Sequence, residues 1–149
     1  MKFIQNITIS SPIEGVWQVV RDIPNAASCI PGAREITATD EGRYEGKIRV
    51  KVGPISIDLE GAVSLKREDP ITRHMGLDVE GLARRVGGGV TGSMELQLKE
   101  LDQNQTELWV TADLIFLGRL GELGQPLVRR KAEDLLKEFA KNLSESTRA

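Results

Sequence analysis

The strongest constraint in this sequence is a pair of alternating segments, residues 44–52 and 55–61, on either side of Gly53-Pro54. Apolar residues take every second position in both, as in strands with one buried face. With Gly53-Pro54 as a two-residue loop, the apolar pairs are Val52 with Ile55, Val50 with Ile57 and Ile48 with Leu59. The polar pairs are Lys51 with Ser56, Arg49 with Asp58 and Lys47 with Glu60. One register satisfies both faces and predicts an antiparallel hairpin, although Pro54 leaves a longer loop open.

The same period of two continues from Ala33 to Leu114, and a first strand is predicted at residues 3–9. Short turns such as Asp69-Pro70 separate the alternating segments. Strands joined by short turns are typical of an antiparallel meander with one apolar face.

Helical spacing appears on both sides of the main strand region. Residues 13–23 predict a first short helix after Pro12, and residues 26–30 a second that ends before Pro31-Gly32. A long helix is predicted from Leu117 to about Leu143, followed by a frayed tail at 144–149.

This order of elements predicts an α+β fold. A curved antiparallel sheet of about seven strands wraps around the long C-terminal helix, with the two short helices after strand 1. Only the long helix is large enough to cover the apolar face, and the arrangement leaves room for a cavity. The 149 residues are predicted to form one domain, residues 1–149.

Composition excludes much catalytic chemistry. The chain has one cysteine, one histidine and a net charge of −2, so we expect no disulfide, no metal site, no cofactor and no nucleic-acid partner. Gln5 and Asn6 interrupt the N-terminal apolar residues too early for a signal peptide, and no run is long enough to span a bilayer. A cytoplasmic location is therefore expected, with peripheral membrane contact left open.

The candidate ligand-binding residues share the inward, aliphatic face of the strands and of the long helix. They are Ile48, Leu59, Val63, Met75, Leu77, Val79, Met94, Leu96, Leu108, Val110, Leu127 and Leu135. The candidates for the cavity mouth are Cys29, Ile30 and Phe116. The alternative is that these side chains fill a solid core.

Other residues have two interpretations each. Cys29 is a redox-sensitive thiol or, as we favour, a small packed residue. His74 lies on the polar strand face, which favours a surface role over a general base. Gly87–Gly89 favours a bend, with a flexible basic gate beside Arg84-Arg85 as the alternative. Glycines in the predicted start of the long helix favour close packing over space for a ligand: Gly118, Gly121 and Gly124.

Several motifs carry a resemblance to a known family. They are Pro12–Trp17, Asp22–Pro24, Cys29–Ala33, Val50–Ile55 and Ala112-Asp113 leading to Gly118–Gln125. With the order of elements, they resemble the SRPBCC or START-like helix-grip superfamily of lipid-transfer domains, the birch-pollen allergen and polyketide cyclases. Within it, the chain is similar to the CoxG-like family of carbon monoxide dehydrogenase subunits.

The resemblance implies a helix-grip fold around a cavity for a lipid or quinone-like molecule. It also implies a non-catalytic accessory subunit of a molybdenum hydroxylase, of carbon monoxide dehydrogenase type, that helps couple the enzyme to the inner membrane face. One alternative is a cyclase- or hydrolase-type enzyme, for which Tyr44 is the sole ionisable inward strand residue. The other is a solid-core adaptor without ligand, for which Trp109 on the outer face is a candidate contact.

Overall fold

The computed structural model describes residues 1–148. The elements in chain order are β1 (Lys2–Ile9), α1 (Ile13–Arg21), α2 (Ile23–Ser28), β2 (Ala33–Asp40), β3 (Arg43–Val52), β4 (Ile55–Asp69), β5 (His74–Leu82), β6 (Gly89–Asp102), β7 (Gln105–Leu117), a 3-10 helix (Gly118–Leu123) and α3 (Gln125–Arg148). The strands form one antiparallel sheet in the order β1-β7-β6-β5-β4-β3-β2. The predicted α+β fold is confirmed.

The β3–β4 hairpin has the predicted register at every pair from Val52 with Ile55 to Lys47 with Glu60. Arg49 Nε donates to Asp58 Oδ1 at 2.7 Å on the outer face. Lys47 and Glu60 lie opposite each other as predicted, but each forms its ion pair with a different residue. Lys47 Nζ lies 3.0 Å from Glu35 of the neighbouring strand β2, while Glu60 accepts from Arg84 of the β5–β6 loop.

The second short helix differs from its prediction. It begins at Ile23, directly after α1, and ends at Ser28, whereas the sequence predicts residues 26–30. Pro24 lies in its first turn, where a backbone N–H has no helical partner and a proline costs little. The proline therefore starts this helix instead of separating it from the first.

The C-terminal helix also differs at both ends. Strand β7 continues to Leu117 and a 3-10 helix follows, so α3 begins only after Gly124, which has a φ of +88°. The helix then continues through residues 144–148, where the sequence predicts fraying. The Thr147 hydroxyl lies 2.6 Å from the Ser11 hydroxyl and joins this last turn to the start of α1. Ala149 lies outside the described residues.

Most of the buried apolar side chains form two separate clusters, and Phe3 and Ala112 are buried outside both. The first cluster lies where α1, α2 and the end of α3 pack on the sheet: Ile9, Val16, Trp17, Val19, Val20, Ile23, Cys29, Met75, Leu77, Leu98, Leu108, Ala140 and Leu143. The second cluster joins the other ends of β3, β4 and β5 to the 3-10 helix: Val52, Ile57, Ala83 and Leu120.

Candidate functional site

The two clusters lie at opposite ends of the strands. On β7, Leu108 belongs to the first cluster, while Phe116, eight residues later, packs against the second. Eight residues of extended strand span about 26 Å. The middle of the inward face therefore lies between two packed ends, opposite the central turns of α3.

Three predicted ligand-binding residues lie outside both clusters. Ile48 on β3, Met94 on β6 and Leu135 on α3 are only partly buried, and none belongs to or packs against either cluster. On β3, Ile48 lies between Tyr44, which packs against the first cluster, and Val50, which packs against the second. Inward apolar side chains that keep accessible surface indicate that the interior between the sheet and the helix is incompletely filled.

A row of glycines crosses three neighbouring strands and continues in register to Val90 and Phe116. Gly46 pairs with Gly61, and Gly61 pairs with Gly81, at inward positions of β3, β4 and β5. A Cβ on Gly81 would lie 3.2 Å from Val90 Cγ1, and one on Gly46 would lie 3.3 Å from a side-chain carbon of β2. The glycines therefore allow close approach of neighbouring groups and contribute no side chain to fill the inward face.

The other nine predicted ligand-binding residues belong to, or pack against, one of the two clusters. Met75, Leu77 and Leu108 are members of the first cluster, and Met75 and Leu108 retain only 1% and 0% of their surface. Partly buried residues packed against the first cluster are Val63, Val79, Leu96 and Val110. Those packed against the second cluster are Leu59 and Leu127. Ile48, Met94 and Leu135 therefore lie outside both clusters. Met94 pairs with Leu77 of the first cluster, and Ile48 pairs with Leu59, which packs against the second.

The three predicted mouth residues do not lie together. Cys29 is buried in the first cluster, with partly buried Ile30 next to it in sequence, whereas Phe116 packs against the second cluster. The Cys29 thiol donates to the Asn25 carbonyl at 3.6 Å, and burial raises its pKa. Asn142 of α3 donates to the Cys29 carbonyl at 2.9 Å. Cys29 is thus a packed residue that joins α2 to α3, as the favoured interpretation has it.

The inward strand face offers little acid–base chemistry. In β3 and β7, the described inward positions carry aliphatic side chains, glycine, Thr106 and two aromatic residues, and Tyr44 is the ionisable group among them. His74 lies on the outer face, with Nε2 3.7 Å from Glu95. Thr106, the fully buried hydroxyl, donates to the Ser11 carbonyl at 2.8 Å. Within residues 1–148, no three His, Cys, Asp or Glu side chains are grouped to hold a metal ion.

The sequence analysis missed a groove of about 710 Å³ on the outer face, across β2 to β6. Its charged walls are mutually paired: Arg43 lies 2.8 Å from Glu80, and Lys47 lies 3.0 Å from Glu35. At one end, the groove reaches the exposed Leu82 and Leu117. Strand alternation assigned this face to solvent, and no local sequence pattern signals a depression there.

The close-packing interpretation of the glycines near α3 is confirmed at two positions. A Cβ on Gly118 would lie 2.7 Å from Gly88 Cα, and one on Gly121 would lie 2.9 Å from the Phe116 carbonyl oxygen. The predicted bend at Gly87–Gly89 is also confirmed, since Gly87 and Gly88 have φ values of +93° and +105°.

Solved structures share this fold. A conserved protein from Geobacillus kaustophilus is 20% identical, with a TM-score of 0.87 over 99% of this chain and 95% of that one. The Zhui aromatase/cyclase from Streptomyces sp. R1128 is 21% identical, with a TM-score of 0.61 over 99% and 90%. A START superfamily protein from Mycobacterium smegmatis is 14% identical, with a TM-score of 0.64 over 99% and 97%. These likenesses establish the START-like, helix-grip fold.

No curated protein matches the chain. Among residues 1–148, no helix combines the length and the apolar character that crossing a bilayer requires. The model of the CoxG family of carbon monoxide dehydrogenase subunits matches residues 6–147, almost the whole chain. The chain therefore belongs to the CoxG family.

Proposed function

We propose that this protein binds an apolar small molecule, a lipid or a quinone-like compound, between the sheet and α3 without transforming it. The observation that carries the proposal is the divided core. Ile48, Met94 and Leu135 stay partly buried outside the two packed clusters, the first two on the inward face of the sheet and the third on α3. A ligand there would cover their remaining surface and join the two clusters.

The chemistry of the inward face favours an apolar occupant. Burial of apolar surface contributes about 25 cal/mol per Å², so an aliphatic or ring-containing ligand gains affinity without a charged partner. The Met94 thioether is flexible and polarisable and adapts to ligands of different shapes. Tyr44 supplies one hydroxyl at the border of the region, enough to orient a single carbonyl or hydroxyl group.

Membership of the CoxG family supports an accessory role. We assign the protein to a molybdenum hydroxylase of carbon monoxide dehydrogenase type, as a single-domain subunit that helps couple the enzyme to the membrane. In this account it resides in the cytoplasm, in peripheral contact with the inner membrane face. The family name supports the partnership, and the inward face supports the ligand.

The cyclase alternative receives less support. The Zhui aromatase/cyclase shares the fold, but at 21% identity it carries no reaction to this chain. Cyclisation needs a positioned acid or base beside the substrate. The inward strand positions described above provide Tyr44 as their ionisable group, so we expect no turnover of cyclase substrates by the purified protein.

Native mass spectrometry of the purified protein tests the ligand proposal. We expect a second mass that exceeds the chain by several hundred daltons and is lost after organic extraction. The extract should contain a lipid or a quinone. Absence of any adduct, together with failure of fluorescent fatty acids and short-chain quinones to bind, would contradict ligand binding and support a solid-core adaptor.

The partnership has its own test. A tagged chain produced in its native cells should copurify with the large subunit of a molybdenum hydroxylase, identified by peptide mass spectrometry and by its molybdenum content. Trp109 is a candidate contact, because it lies on the outer face, with Lys99 Nζ 5.1 Å from the ring centroid. Recovery of no such enzyme would contradict the accessory role and leave ligand binding standing.

A further inference from the structure

An exposed apolar patch lies on the outer face at the second-cluster end of the sheet. Leu82, Ile115 and Leu117 keep 45%, 58% and 51% of their surface exposed. Leu82 and Leu117 both pair with Gly89, which lies between them on β6 and has no side chain to separate them. Ile115 is two residues before Leu117 and points to the same side. Single exposed leucines are common, but three apolar side chains on neighbouring strands form a patch.

Arginines border this patch. Arg84 and Arg85 follow Leu82 in the β5–β6 loop, and both are exposed. Arg119, on the 3-10 helix, follows Leu117 by two residues, and its aliphatic carbons lie 4.0 Å from the position a Gly87 Cβ would occupy. The loop and the 3-10 helix therefore bring cations from two segments to one place.

Two of these cations form no ion pair. Arg84 Nε lies 3.1 Å from Glu60, but among the described residues no ion pair involves Arg85 or Arg119. The nearby carboxylate of Asp58 is already bound by Arg49 at 2.7 Å. The chain as a whole carries a net charge of −2. The positive charge is therefore confined to this end of the molecule.

Backbone hydrogen bonds close the β5–β6 loop under this surface. The Ala83 N–H donates to the Gly88 carbonyl at 2.9 Å, and the Gly87 N–H donates to the Ala83 carbonyl at 2.8 Å. Ala83 and Leu120 are buried in the second cluster beneath the arginines. The exposed leucines and arginines therefore stand on a packed base, and their exposure is a property of the fold.

We propose that this surface, the basic tip (Leu82, Arg84, Arg85, Ile115, Leu117 and Arg119), docks on a bilayer that contains anionic phospholipids. Exposed aliphatic side chains enter the interface between headgroups and acyl chains, while the arginines bind lipid phosphates at its level. The purpose of docking, exchange of an apolar ligand with the membrane, rests on the proposed function. The docking itself depends only on the residues of the basic tip.

Vesicle sedimentation tests the docking. The full chain, stripped of any copurified molecule, is mixed with vesicles of phosphatidylcholine alone or with 30% phosphatidylglycerol. We expect binding to the anionic vesicles only, weakened at least five-fold between 50 and 500 mM salt because salt screens exposed charges. The double variants Ile115→Ser/Leu117→Ser and Arg85→Glu/Arg119→Glu should each weaken binding about ten-fold or more.

Matched variants at other surfaces serve as controls. Ile71→Ser/Leu101→Ser removes two exposed apolar side chains, and Lys137→Glu/Lys141→Glu reverses two exposed charges of α3. Both should bind the anionic vesicles as the wild type does. The docking proposal is overturned if the wild type sediments equally with both lipids or with neither, or if the controls weaken binding as much as the tip variants. Copurified ligand, measured separately in each unstripped variant, should remain, so loss of docking and loss of ligand binding are distinguishable.

Discussion

At the scale of single residues, two glycines and one ion pair are expected to affect the stability of the fold. Gly88 combines a φ of +105° with a backbone that touches β7, because a Cβ there would lie 2.0 Å from the Leu117 carbonyl oxygen. Gly124 has a similar φ of +88° but nothing within 4 Å of its Cβ position. A substitution at Gly124 therefore tests backbone strain alone, whereas one at Gly88 tests strain together with a steric collision.

Replacement of these glycines by alanine should give unequal losses of stability. Gly124→Ala should lower the free energy of unfolding by about 1–2 kcal/mol, the cost of an L-residue in a left-handed conformation. Gly88→Ala adds a collision with backbone and should lose at least about 2 kcal/mol more, near the upper range of single substitutions. Urea unfolding followed by circular dichroism measures both. Equal losses would show that the β5–β6 loop moves aside.

The Arg49–Asp58 pair should make stability depend on pH. The hydrogen bond from Arg49 lowers the pKa of the Asp58 carboxyl below its ordinary value of 3.8. The lower folded pKa means that the pair stabilises the fold above pH 3.8 and that this contribution is lost as the pH falls through the folded pKa. Urea midpoints from pH 7 to pH 2 should fall more for the wild type than for Arg49→Met. Parallel curves would contradict this assignment, and Asp58→Asn is the matched control.

At the scale of elements, the sequence predicts a strand or helix correctly where residues close in sequence determine its structure. The β3–β4 register follows from the sequence, because only one alignment buries Val50 with Ile57 and also opposes Arg49 to Asp58. The ends of α3 depend on distant contacts instead. Its last turn is joined to Ser11 by Thr147, more than 130 residues away in sequence, and no local pattern signals that contact. The same reason explains why Lys47 pairs with Glu35 across the β2–β3 bulge and not with Glu60.

At the scale of the whole molecule, alternation predicts which side chains face inward but not how completely they fill the interior. Ile48, Met94 and Leu135 match the pattern of the buried Met75 and Leu108, yet they differ from them in burial. Alternation does not encode how closely α3 packs on each part of the sheet. The division into two clusters is therefore a result of the structure alone. At the basic tip, the sequence places Arg84-Arg85 beside the predicted bend, and the structure adds Leu82, Ile115, Leu117 and Arg119.

This division predicts opposite responses to the same substitution at two positions of α3. Leu135→Phe should leave the free energy of unfolding unchanged or raise it by about 0.5–2 kcal/mol, because the added atoms enter unfilled space. Leu143→Phe should lower it by about 1–3 kcal/mol, because Leu143 is completely buried in the first cluster. Thermal unfolding of the ligand-stripped proteins compares them. Equal destabilisation would indicate a solid core.

The most direct test of the central claim is a binding titration of a fluorescent fatty acid, with displacement by a short-chain quinone, on stripped wild-type protein and two variants. Leu135→Trp fills the space between the clusters, whereas Leu101→Trp adds the same bulk to an exposed turn at the end of β6. The account predicts saturable, displaceable binding by the wild type and by Leu101→Trp, and at least ten-fold weaker binding by Leu135→Trp. Equal binding by all three proteins, or by none, would contradict a ligand site between the sheet and α3.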